Sequence, residues 1–202
     1  MQSALAASRP TPPSCLMAAA TLALACSLSA VPAAAEEAGF GAPIALGDSV
    51  EILGDEADRL YFGAGAFNVI PNDDEKTVRN DSTSFEARGE YRFGRKLYGI
   101  GPLVGLMVNS DGGVYGYGGL YADVAFGNWV ITPSGGFGGY AANDSKYLSG
   151  TFQFQLSLEG AYEFEDGSRV GLRMSHISNA GMHDDNEGVE SALVTYSYPL
   201  RY

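Results

Sequence analysis

The sequence predicts an all-β chain: an eight-stranded antiparallel transmembrane β-barrel of the outer membrane, spanning residues 59–202. Three observations lead there. From residue 59 onward, segments of roughly ten residues alternate apolar and polar side chains between turn residues. Their polar faces interleave acids and bases, as a narrow lumen filled by ion pairs requires. No apolar run of about 18 residues follows residue 35, so a spanning helix is excluded.

The chain begins with a segment to be set aside. Leu16 to Ala30 are apolar and small, Arg9 is the only charge before them, and Ala33-Ala34-Ala35 precede Glu36. That order reads as a secretory signal peptide over residues 1–35, removed on export. A lipoprotein reading through Cys26 lacks the leucine expected three residues earlier. Both cysteines, Cys15 and Cys26, fall inside the signal. The exported chain therefore carries no disulfide and no thiolate ligand. The whole sequence has a net charge of −12, one unit more negative once Arg9 is gone. That balance excludes nucleic acid as a partner. Residues 36–58 are acidic and weakly patterned (Asp48, Glu51, Asp55, Glu56, Asp58), a periplasmic lead-in with room for one short element.

Eight strands follow, at about 59–69, 82–93, 97–108, 113–126, 129–141, 149–164, 168–178 and 189–202. In the second, Phe85, Ala87, Gly89, Tyr91 and Phe93 share one face and Glu86, Arg88, Glu90 and Arg92 the other. Thr151 to Phe164 repeats the pattern, with Phe152, Phe154, Leu156 and Leu158 opposite Gln153, Gln155, Ser157 and Glu159. Gly94-Arg95, Asn109 to Gly113, Gly127-Asn128, Asn143 to Ser145 and Asp166-Gly167 punctuate them. Gly-rich runs such as Gly135 to Gly139 match no dinucleotide or phosphate loop and read as barrel geometry. Tyr61, Phe62, Tyr98, Trp129, Tyr140, Tyr147 and Tyr162 lie near strand ends and suit interfacial girdles. The last strand ends on Tyr202, with Val194, Tyr196, Tyr198 and Leu200 at alternate positions. With both termini periplasmic, parity makes 94–96, 127–128 and 165–167 the short periplasmic turns. The remaining, mostly longer connections are then extracellular, the usual asymmetry.

The chemistry is concentrated near the C-terminus. Successive strand side chains alternate faces, so Val170, Leu172, Met174, His176 and Ser178 form one stripe. A base and a nucleophile thus extend an apolar outer face, which suits a lipid substrate. Two residues apart on one strand face, His176 and Ser178 have Cα atoms roughly 6.5–7 Å apart. If His176 faces Glu190, then Met174, Leu172 and Val170 face Ala192, Val194 and Tyr196, a self-consistent register. Glu190 can then accept the second imidazole proton and orient the base, while His176 activates Ser178. The turn Asn179-Ala180-Gly181 offers oxyanion donors through backbone N–H groups and the Asn179 amide. The ordinary readings remain beside these. A His or Ser at a strand end is often a headgroup-level polar residue. His183-Asp184-Asp185 suggests a metal, but an acidic loop is usually only solvated, and no metal or cofactor is expected. Arg88, Arg92, Arg169 and Arg173 read as lumen ion-pair partners. Lys76, Arg79 and Lys146, on extracellular loops, could touch lipid phosphates.

His176-Ile-Ser178-Asn-Ala-Gly181, then Asn186-Glu-Gly-Val-Glu190-Ser and an aromatic-ended last strand, resemble the lipid A 3-O-deacylase (PagL) family. The resemblance is sharp over about 169–202 and architectural before that. It implies an outer-membrane serine esterase that removes the acyl chain at the 3-position of lipid A, with the catalytic residues on Ser178, His176 and Glu190. The oxyanion donors fall on Asn179 to Gly181. It implies lipopolysaccharide of the outer leaflet as substrate partner, no cofactor, and dimers in some members. The loop 182–186 is notably acidic, which leaves the lipid A variant and chain length open. Two rivals stand beside this reading: an outer-membrane phospholipase or general esterase using the same triad, and a structural or adhesive barrel with an incidental His-x-Ser.

Overall fold

The computed structural model describes residues 40–71, 82–183 and 185–201. Two short strands, β1 (Ile44–Ala45) and β2 (Glu51–Ile52), precede β3 (Arg59–Phe67), β4 (Ser84–Arg92), β5 (Ile100–Asn109) and β6 (Val114–Ala122). Then come β7 (Val124–Phe126), β8 (Trp129–Ala141), β9 (Phe152–Glu163), β10 (Arg169–Ser178) and β11 (Val189–Pro199). β6 and β7 both pair with β8 and form one stave interrupted at Asp123. Each stave pairs antiparallel with its sequence neighbours, and β11 returns to β3 from Arg59↔Pro199 to Phe67↔Ser191. The result is a closed, eight-staved antiparallel barrel with no free edge.

The alternation read from the sequence sorts side chains as expected. Glu86, Arg88, Glu90 and Arg92 of β4 are buried inside, with Glu159 and Arg173. Arg173 Nη1 lies 2.6 Å from Glu90 Oε1, and Arg92 bonds both Glu90 (3.0 Å) and Glu159 (2.8 Å). Tyr117 donates its hydroxyl to Glu90, and the Arg92 guanidinium stacks 4.4 Å over the Tyr61 ring. Outside, Phe85, Val104, Leu106, Leu120, Phe137, Leu156, Leu158, Leu172 and Val194 are all exposed. A polar, ion-paired interior within an apolar exterior inverts the soluble plan and marks a membrane-spanning barrel.

Four details depart from the sequence reading. Tyr61 and Tyr140 point inward and are buried, so they belong to the lumen and not to the girdles. Their phase decides this: Tyr61 shares a face with Arg59, and Tyr140 with Thr132. The strand expected from residue 97 starts at Ile100, because Leu97 to Ile100 form a tight turn. The lead-in carries two short strands instead of one, and β2 pairs with β7. Lys146 is buried, with its ammonium on Asn68 Oδ1, rather than presented to solvent. Lys76, Arg79 and Tyr202 lie outside the described residues.

The lumen is layered in a way that positions the functional end. Phe67, Met107, Tyr115, Tyr140, Leu148, Ile177 and Val189 pack into one cluster near the β10–β11 connection. Ile177 and Val189 are the inward neighbours of His176 and Glu190, so the outward residues stand on a packed apolar floor. The opposite end is closed by charge, with Glu56 of the lead-in bonded to Lys96 (2.6 Å) and Arg169 (3.0 Å).

Candidate active site

β10 is held between β9 and β11 along its length, which fixes the height of each outward side chain. His176 pairs directly with Glu190 on β11 and with Leu156 on β9. Directly opposed strand residues have Cβ atoms about 4.5–5.5 Å apart. His176 Nδ1 accordingly lies 3.0 Å from Glu190 Oε1. The His176 side chain is 45 % exposed and that of Glu190 30 %, so the pair sits on the outer surface.

Ser178 follows on the same face, paired with Phe154 of β9, and is 8 % exposed. Continuing the β10–β11 register places Gly188 opposite it. A Cβ at Gly188 would stand 2.7 Å from His176 Cε1 and 3.5 Å from Nε2. The ring edge facing Gly188 is thus Cε1, with Nε2 and Nδ1 (3.6 Å) nearly equidistant from that position. Donation of Nδ1–H to the carboxylate would hold one tautomer and leave the Nε2 lone pair available as a base. The sequence reading missed Gly188; its position two residues before Glu190 was the available signal.

The expected oxyanion turn is a tight one. Met182 N–H donates to Asn179 O at 3.1 Å, and Ala180 (φ 54°) and Gly181 (φ 76°) both occupy the left-handed region. That is a type I′ turn. Asn179 is fully buried, and its amide donates to Asp185 O (2.7 Å) and Leu148 O (3.3 Å). Its Oδ1 accepts the Gly181 N–H at 2.9 Å. The amide thus ties together the β8–β9 loop, the β10–β11 loop and the turn after Ser178. Within the turn, the Gly181 N–H is therefore taken up by the Asn179 side chain.

Among the described residues no three His, Cys, Asp or Glu side chains gather as a metal site would need. His183 packs beside Gly150 of the β8–β9 loop; Asp184 lies outside the described residues.

Two relatives match part of this chain. The lipid A deacylase PagL of Pseudomonas aeruginosa is 33 % identical over 64 residues, covering 32 % of this chain and 36 % of that protein. The protein of the same name from Bordetella bronchiseptica is 36 % identical over 53 residues, or 26 % of this chain and 30 % of the relative. The chain thus aligns with about a third of the length of these relatives. A crystal structure of the outer membrane enzyme PagL superposes with a TM-score of 0.48 at 16 % identity, covering 71 % of this chain and 100 % of the other. A designed transmembrane β-barrel gives 0.47 at 11 % identity, covering 72 % of this chain and 98 % of the design. The family model described as lipid A 3-O-deacylase (PagL) matches residues 60–199, from the second residue of β3 to the last of β11. That stretch is more than half of the sequence and contains every barrel stave, so the chain belongs to the lipid A 3-O-deacylase (PagL) family.

Proposed function

We propose that the chain is an outer-membrane serine esterase that hydrolyses the 3-O-linked acyl chain of lipid A and releases a 3-hydroxy fatty acid. The observation that carries this reading is the His176–Glu190 contact at 3.0 Å on the apolar outer face, with Ser178 next on that face. A general base oriented by a carboxylate beside a hydroxyl is the machinery of acyl transfer. Its position on the exterior, not in the lumen, suits an ester that arrives from the bilayer. Strand parity would put the site near the outer leaflet, where lipopolysaccharide is the abundant ester.

In this mechanism Ser178 Oγ attacks the ester carbonyl while His176 Nε2 takes its proton. The tetrahedral oxyanion needs N–H donors, and the 179–181 turn, which follows Ser178 directly in the chain, would supply them. Collapse returns the proton from His176 to the departing sugar 3-oxygen and leaves an acyl-serine. Water, deprotonated by His176, then cleaves that ester and frees the fatty acid. Glu190 holds the imidazole and stabilises its cationic form in both half-reactions. Because Asn179 Oδ1 holds the Gly181 N–H, the turn would release that donor as the oxyanion forms.

Mass spectrometry of lipid A from cells expressing the wild type and Ser178→Ala tests the reading. Loss of one 3-hydroxyacyl mass in the wild type alone is the expected result. Unchanged lipid A from a folded, membrane-inserted protein would overturn it. Loss in both would remove Ser178 as nucleophile.

A further inference from the structure

The barrel end away from His176 carries a groove that the esterase reading does not use. Phe40, Leu97, Tyr98, Ile100, Pro102 and Leu120 line an open groove of about 590 Å³ on the outer surface. Ile100, Pro102 and Leu120 are outward residues of β5 and β6 and form its barrel wall. The other wall comes from the turn and the lead-in. Leu97 and Ile100 exchange backbone hydrogen bonds of 2.9 and 3.1 Å, and Tyr98 (φ 51°) and Gly99 (φ 77°) lie in the left-handed region. This is again a type I′ turn. A left-handed tyrosine costs about 1–2 kcal/mol, and here the turn sets the Tyr98 ring 5.7 Å from that of Phe40. Phe40 and Asp55 precede the family match, which begins at residue 60, so the groove is partly built by a segment outside it.

The charged groups at the groove are unequal. Asp55 Oδ1 accepts the Lys96 N–H at 2.7 Å. The Lys96 ammonium is buried between Glu56 (2.6 Å) and Asp123 (3.1 Å). Arg95 is exposed and has no ion pair among the described residues, which makes it the open cation of the lining. Inside a bilayer an apolar groove alone selects nothing, because every lipid tail covers it equally well. A guanidinium at headgroup height does select, since it binds phosphate oxygens bidentately.

We propose that this groove holds one phospholipid from the leaflet opposite the catalytic pair. Its acyl chain lies along Ile100, Pro102 and Leu120, and its phosphate sits on Arg95. The proposal is independent of the esterase reading: the groove and His176 lie at opposite ends of the staves, and neither needs the other to act.

Native mass spectrometry of the full chain in detergent micelles, titrated with ether-linked phosphatidylglycerol, tests it; the ether links prevent turnover. The wild type should retain one lipid. Arg95→Gln, on an exposed turn, should weaken retention at least ten-fold. Arg201→Gln, at the same end but bonded to Asp166 O at 2.6 Å, should leave it unchanged. Ether-linked diacylglycerol, which lacks the phosphate, should not be retained. No adduct on the wild type, equal retention by Arg95→Gln, equal retention of the diacylglycerol, or equal loss with Arg201→Gln would each overturn the proposal.

Discussion

Gly188 leaves open the space beside the His176 imidazole, where a β-carbon would stand 2.7 Å from Cε1. Its backbone is not left-handed, so alanine fits the chain and the conflict falls on the ring alone. Gly188→Ala should therefore fold normally while displacing the His176 imidazole, the base in the proposed mechanism. A misplacement of about 1 Å can cost about 100-fold. The expected signature is a kcat reduced roughly 10- to 100-fold with KM little changed, measured on detergent-solubilised enzyme with a lipid A substrate. A loss confined to KM would count against this positioning role.

Glu190→Gln separates charge from shape. The amide can still accept from Nδ1–H at the 3.0 Å position, but it can also donate and favour the wrong tautomer. Losing the orienting carboxylate in comparable triads lowers kcat by up to about 10⁴. Because the Glu190 side chain is partly exposed, the barrel should keep its unfolding midpoint. Single-turnover kinetics should show slow acylation with unchanged substrate binding. Unaltered acylation would remove Glu190 from the mechanism.

The staves were legible because inside and outside impose opposite chemistries. Glu86, Arg88, Glu90 and Arg92 alternate with Phe85, Ala87, Gly89 and Tyr91, and only one phase puts the ions in the lumen. The His176–Glu190 register was legible for the same reason, since one stripe had to match the other from Val170↔Tyr196 upward. Tyr61 and Tyr140 were misread because an aromatic near a strand end was assigned to a girdle before its phase was checked. The break at Asp123 was hidden because a buried acid within a strand looks like any other lumen residue. There it accepts from Thr132 and pairs with Lys96 and Arg169. The work of Asn179 was not legible at all: its carbonyl partners, Leu148 and Asp185, lie in loops whose backbone course no periodicity encodes.

Asp58 offers a pH test outside the membrane-spanning segments. Its carboxyl is held below the usual range, first by the Gly94 N–H at 2.8 Å and then by the Tyr91 hydroxyl. Its carbonyl also accepts from Leu200 N–H at 2.7 Å, next to the closing pair Arg59↔Pro199. A folded pKa below the unfolded one gives stability that is complete above the unfolded value, about 3.9. That stability is lost as pH falls through the lower, folded value. In urea unfolding monitored by tryptophan fluorescence, the wild type should lose stability below about pH 4 more steeply than Asp58→Asn. Parallel curves would show that the Asp58 charge contributes nothing to closure.

The lumen ion pairs supply the strongest stability test. Glu90 is 4 % exposed and accepts from Arg173, Arg92 and Tyr117 at once. Removing only the carboxylate, as in Glu90→Leu, leaves the buried Arg173 guanidinium without its acid. Breaking a buried pair in this way costs about 3–5 kcal/mol. Arg173→Met alone should cost less, because Arg92 and Tyr117 still satisfy Glu90. Combining Glu90→Leu with Arg173→Met removes that stranded cation, while Arg92 keeps Glu159 at 2.8 Å. The double variant should therefore recover part of the loss caused by Glu90→Leu. Its urea midpoint in micelles should lie above that of Glu90→Leu, a coupling that a double-mutant cycle reads directly. Strictly additive losses would mean that lumen charges act independently and that the network holds no cooperative energy.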